Sequence, residues 1–133
     1  MSKLTQIAED MLGTPWESEG RGESIDCYGL VMRVLHKLGA AIPDFPYSLE
    51  EAQENPGIAL DLLSEMTKKI PAPVPGCVVL FGRDSVPDHL GVMLEDDLFL
   101  HATCKMGVAA SHVGEARYQS KLIGYYWVEG VMV

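Results

Sequence analysis

The hydrophobic period changes once along this chain, and that change limits the folds open to it. Before about residue 40, apolar residues recur at helical spacing. Leu4, Ile7, Ala8, Met11 and Leu12 form one stripe, and Leu30, Val31, Val34, Leu35 and Leu38 form another. They predict a helix ended by Gly13 and Pro15 and a second helix over about 26–38, with Gly39 just past its end. A loop rich in Gly, Glu and Ser over 13–25 separates the two. Residues 40–56 are punctuated by proline and read as an irregular crossing segment. Ile58, Leu62, Leu63, Met66 and Ile70 predict a further helix over 57–70, stopped by Pro71, Pro73 and Pro75.

After Gly76 the pattern becomes one of short apolar runs with tight turns. Residues 77–81, 89–94, 98–103, 106–111 and 122–128 predict about five strands, with Asp96-Asp97 as a turn. Short strands joined by tight turns pair antiparallel. Helices first and sheet second give an α+β domain, with N-terminal helices packed on one side of a C-terminal antiparallel sheet. At 133 residues the chain reads as a single domain.

Charge narrows the function. The net charge is −9 and only ten residues are Lys or Arg, with no basic run. Phosphate binding needs clustered positive charge, so neither nucleic acid nor an anionic membrane surface is expected as a partner. No apolar run reaches membrane-spanning length and no apolar segment of signal-peptide type opens the chain. Synthesis in the cytoplasm without a signal peptide is the expectation. Three cysteines with no Cys-x-x-Cys do not make a disulfide scaffold.

One of those cysteines carries the chemistry. Cys27 lies in Ile25-Asp26-Cys27-Tyr28-Gly29-Leu30-Val31, in the first turn of the second helix. Unpaired backbone N–H groups at a helix start lower a thiol's pKa and are also ready oxyanion donors. Asp26 is a candidate N-cap or first-turn acid and Ser24 the alternative cap; either register keeps Cys27 in the first turn. His89 opens one predicted strand and His101 lies in the next. Pairing about the turn at 95–97 brings them together, and their even separation puts both on one face. The second helix packing on that face would deliver Cys27 to His89, with His101 holding the other ring nitrogen. Thiol, base and orienter are the minimum for acyl transfer through a thioester.

Blander readings exist for each residue. A lone cysteine in an apolar helix is more often core than nucleophile, and two strand histidines are often unrelated. Cys77 and Cys104 are expected in the sheet core, His36 on the surface, and His112 has no evident partner. Zinc is disfavoured, since His101 and Cys104, three apart in a strand, would point to opposite faces. No metal is therefore expected.

These residues together resemble the NlpC/P60 superfamily of papain-like cysteine peptidases. The resemblance is carried by Gly13-Thr14-Pro15-Trp16, by Asp26-Cys27-Tyr28-Gly29-Leu30, by Pro75-Gly76-Cys77-Val78-Val79, by His89-Leu90-Gly91-Val92 and by His101-Ala102. It implies the papain-like NlpC/P60 fold, with Cys27 as nucleophile, His89 as base and His101 as orienter. It also implies no cofactor and a peptidoglycan stem peptide as substrate. Trp16, Asp26, Tyr28 and Arg21 fall where the oxyanion site and substrate groove are expected. Arg21 or Arg83 would meet a substrate carboxylate. Family members in phages and prophages sit in tail-assembly gene clusters, which implies phage tail proteins as partners and action at the cell wall. Three positions depart from the family pattern: Tyr28 stands where Ser is common, Trp16 where Tyr is common, and Cys77 where Asp is common. An amide or acyl transferase on the same scaffold, or a catalytically inactive structural protein of a tail or assembly complex, are the alternative functions.

Overall fold

The computed structural model describes residues 2–17, 20, 22–40, 67–83 and 86–133. Helix α1 spans Lys3–Met11, capped by Ser2, whose side chain accepts from the Thr5 N–H. Helix α2 spans Cys27–Lys37. Then follow β1 (Thr67–Ile70), β2 (Val78–Arg83), β3 (Val86–Met93), β4 (Leu98–Thr103), β5 (Gly107–His112), the short helix α3 (Ala116–Gln119) and β6 (Leu122–Val128). The strands form one antiparallel sheet in the order β1-β6-β2-β3-β4-β5. The expected α+β order of helices followed by sheet is the order observed.

Strand β1 was not expected. Its residues fall at the end of the stretch that reads as a helix over 57–70; residues 57–66 lie outside those described, as does the crossing segment over 41–56. Two forces override the helical spacing. Pro71 drives the residue before it toward extended backbone. The edge of β6 also offers a ladder, from Thr67 opposite Val128 to Ile70 opposite Tyr125. The sheet therefore has six strands.

The central strand β2 is buried on both faces of the sheet from Val78 to Gly82, so its continuous apolar run is satisfied on each side. One face carries Val78, Leu80, Leu90, Val92, Leu100 and Ala102, packed against α1 and α2 through Leu4, Ile7, Leu30, Val34 and Leu35. Leu30, Val34 and Leu35 are fully buried. Truncating any one to Ala would cost about 2–5 kcal/mol. The opposite face carries a smaller cluster of Cys77, Val79, Phe81, Met93 and Phe99, with Tyr118 of α3 packed against it.

Two expectations about single residues are corrected. Cys104 is exposed, because β4 ends at Thr103 and Cys104 enters the turn beyond it. His112 has a partner: its Nδ1 lies 2.7 Å from Asp97 Oδ1, tying the β3–β4 turn to the end of β5. Both side chains are mostly exposed, so that pair contributes little to stability.

Two glycines set the spacing around the site. Gly107 has φ of +68°, and a Cβ there would collide with the Thr14 carbonyl. Its absence lets the segment after α1 pair with β5: the Gly13 N–H donates to the Val108 carbonyl and the Val108 N–H to the Thr14 carbonyl. Gly91 on β3 is closer still to the site. A Cβ on it would stand 2.6 Å from the Leu100 carbonyl oxygen and 3.2 Å from the His101 Cβ. The obstructing oxygen is backbone, so it cannot swing aside. Gly91→Ala is expected to destabilise the fold by about 1–3 kcal/mol, measured as a lower urea midpoint, while Gly22→Ala, where the added Cβ meets open space, leaves it nearly unchanged.

Candidate active site

Asp26 decides where the thiol stands. It is the N-cap of α2, and its Oδ1 accepts the Gly29 N–H at 2.7 Å. Cys27 is therefore the first residue of the helix. Asp26 is 5% exposed and Tyr28 is 6% exposed, and both are held in the packed first turn. Neither lines the cavity beside Cys27. Arg21 lies outside the described residues.

The two histidines meet as expected, but on the other face of the sheet. His89 packs near Phe81, with ring centroids 6.1 Å apart, and His101 near Phe99 at 4.4 Å. Phe81 and Phe99 belong to the cluster opposite α2. Strand alternation explains this. Leu90, Val92, Leu100 and Ala102 face the helices, so His89 and His101 face away. The expected route, with α2 lying on the histidine face, is corrected.

Cys27 nevertheless shares a cavity of about 300 Å³ with His89. Among the described residues, β3 and β4 pair at Val92 with Leu100 and at Met93 with Phe99, next to their turn. Toward His89 and His101 that ladder stops. There the cavity is walled by Ala102, Thr103 and Cys104 from the end of β4, by Trp16 and by Tyr118. Trp16 is brought in by the segment stitched to β5 and by the Ile25 N–H, which donates to the Pro15 carbonyl at 2.9 Å. Near this end, β2 is also bulged between Phe81 and Gly82. Such bulges re-aim side chains next to sites.

The polar chain behind the cavity is longer than expected. His89 Nε2 lies 2.8 Å from His101 Nδ1, and His101 Nε2 lies 2.9 Å from Ser111 Oγ. His101 is fully buried and Ser111 is 6% exposed. Tyr118 stands edge-on to His101, with ring centroids 5.4 Å apart. Neither Ser111 nor Tyr118 was singled out from the sequence. Ser111 sits in an Ala-Ala-Ser run that reads as ordinary strand, and Tyr118 lies on a four-residue helix with no periodic signal. The register that places Ser111 opposite Phe99, two residues from His101, supplies the missing information.

Burial dominates the electrostatics. The Cys27 thiol is pushed up to about 12, chiefly by desolvation and then by the neighbouring Asp26 carboxylate. Backbone N–H groups of Leu90, Tyr28 and Cys27 act on the sulfur in the opposite direction, but do not prevail. The helix-start effect expected from the sequence is thus present and outweighed. His89 is lowered to about 4, by burial and then by the Lys121 charge. His101 is lowered to about 3, by burial, then by His89 and Arg117. The resting pair is a neutral thiol beside a neutral imidazole.

Among the described residues, no group of three or more His, Cys, Asp or Glu side chains is arranged to hold a metal ion, and no helix is long and apolar enough to cross a membrane. A model of the NlpC/P60 family matches residues 13–126. The chain belongs to the NlpC/P60 family.

Solved structures agree on the NlpC/P60 fold. An NLP/P60 family protein similar to lipoprotein, from Staphylococcus aureus subsp. aureus Mu50, is 23% identical with a TM-score of 0.68; the match covers 94% of this chain and 40% of that one. The NlpC/p60 domain of the peptidoglycan hydrolase SagA is 17% identical with a TM-score of 0.60, covering 98% and 96%. The peptidoglycan hydrolase RipB of Mycobacterium tuberculosis is 17% identical with a TM-score of 0.63, covering 98% and 64%. This chain therefore spans about two fifths of the first of these proteins. Among curated proteins none matches it.

The thiol environments generate a direct test. Alkylation by iodoacetamide near pH 8, followed by peptide mass mapping, is expected to label exposed Cys104 before Cys27 and Cys77. Preferential labelling of Cys27 in the ligand-free protein would show a thiolate that burial does not permit.

Proposed function

We propose that this NlpC/P60 protein is a cysteine peptidase that hydrolyses amide bonds in bacterial cell-wall stem peptides through a thioester. The observation that carries the reading is the shared cavity: Cys27 and His89 both line it, and His89 is tied from behind to His101. Peptidoglycan hydrolases among the fold's neighbours support the substrate class.

Because Nε2 of His89 is engaged by His101, its Nδ1 is the nitrogen left for the thiol. As the Cys27 sulfur bonds to the amide carbon, the thiol proton passes to His89 Nδ1. The carbonyl electron pair moves onto the oxygen, where the Cys27 backbone N–H and donors of the Trp16 segment would meet it. The oxyanion then collapses, and His89 gives the proton to the departing amine, leaving a thioester. A water, deprotonated by His89, attacks that thioester; the acid leaves and the sulfur regains its proton. His101 stays neutral throughout, which it must do to accept from the His89 imidazolium.

Assembly into a phage tail, implied by the sequence resemblance, belongs to the same proposal. Detection of the chain in purified virions by mass spectrometry would test it.

Hydrolysis of purified wall peptides, followed by chromatography of the fragments, tests the main reading. Cys27→Ala is expected to abolish cleavage while leaving the melting temperature within a few degrees. His89→Ala is expected to lose about 10²–10⁴-fold, and His101→Ala less, since an orienter is partly replaceable. Undiminished cleavage by Cys27→Ala would dismiss the nucleophile.

The pH profile follows from the lowered histidine. The neutral imidazole is the working base, and a depressed pKa keeps it neutral further into acid. The acid limb of kcat/KM is therefore expected near pH 4, where His89 protonates, instead of near the ordinary histidine value of about 6.5. A limb at the ordinary value would contradict the buried environment.

A further inference from the structure

We propose that Ser111 is a positioning residue, the terminal member of a chain Cys27, His89, His101, Ser111, and that its oxygen, by accepting from His101 Nε2–H, supports the tautomer in which His89 is able to accept a proton. The proposal deepens the peptidase reading and rests on it for the role of His89.

The chain of two hydrogen bonds has only two self-consistent directions. In the first, His89 Nε2–H donates to His101 Nδ1, and His101 Nε2–H donates to Ser111 Oγ. His89 Nδ1 then carries a bare lone pair and is the ring nitrogen not engaged by His101. In the second, the Ser111 hydroxyl donates to His101 Nε2, and His101 Nδ1–H donates to His89 Nε2. The single proton of neutral His89 must then sit on Nδ1, and the ring has no lone pair to offer Cys27. The same two distances, 2.8 and 2.9 Å, serve both directions. What distinguishes them is whether the serine oxygen accepts or donates.

Burial makes this choice consequential. His101 is fully enclosed and Ser111 nearly so. Phe99 packs on one side of the His101 ring and Tyr118 stands at its edge. A buried N–H with no acceptor is costly, so His101 keeps its proton on Nε2 only while an acceptor stands there. Ser111 is the acceptor that β5 supplies. Removing its oxygen leaves the working direction with an orphaned donor and shifts the pair toward the silent tautomer. Ser111 touches neither substrate nor sulfur, and its effect falls on the proton-transfer step.

Nitrogen-15 NMR of histidine-labelled protein reads the tautomers directly in the resting state. In the native chain both His89 and His101 are expected as Nε2–H. In Ser111→Ala, His101 is expected to lose that tautomer in whole or in part, and kcat on wall peptides to fall by about tenfold with KM unchanged. Ser111→Thr, which retains the oxygen, restores both. If alanine unfolds the chain, Ser111→Cys keeps the size with a weaker acceptor and is expected to shift the tautomers in the same direction. A native His101 found as Nδ1–H, or a folded Ser111→Ala or Ser111→Cys variant with unchanged tautomers and kcat, overturns the proposal. If the native protein cleaves no wall peptide, the hydrolase reading fails, while the tautomer measurement still decides the part that concerns Ser111.

Discussion

Three polar side chains joined end to end inside an aromatic sheet face are what the rest of the site depends on. His89, His101 and Ser111 are linked at hydrogen-bond distance, with His101 fully buried. Buried polar groups persist in native structures only when partnered. Each member here satisfies the next, and the rings of Phe81, Phe99 and Tyr118 pack near the two imidazoles. That enclosure holds both imidazoles neutral at ordinary pH. The bond to His101 also holds the His89 ring by its Nε2.

The enclosure has a matching consequence for the sulfur. A thiol at a helix start is usually read as reactive, and the amides of Leu90, Tyr28 and Cys27 do favour its ionised form. Cys27 nonetheless sits where desolvation outweighs them, beside a buried carboxylate that also disfavours the anion. Asp26 thus serves α2 as its cap while opposing thiolate formation one residue away. A neutral thiol is less open to oxidation than a thiolate.

Much of this was legible in the chain itself. The shift from helical stripes to short strands showed the order of elements, and either candidate cap, Ser24 or Asp26, put Cys27 in the first turn of its helix. The parity of His89 and His101 brought them to one face. Strand β1 was hidden, because Ile70 continues a helical spacing that only the free edge of β6 and the following proline override. The sheet face carrying the histidines was also hidden, since alternation says which residues share a face but not which face a helix will cover. Ser111 was invisible for a related reason: β4–β5 register, not local pattern, sets it beside His101.

The sequence by itself determined the class of fold, the family and the three candidate site residues, because hydrophobic period, caps and motif spacing are local properties that each short stretch carries whole. Tertiary structure alone decided the state of those residues. Desolvation, the opening of the β3–β4 ladder beside Cys27 and the reach of Ser111 all depend on what distant segments bring to one point, and no local stretch encodes the dielectric around its own side chains.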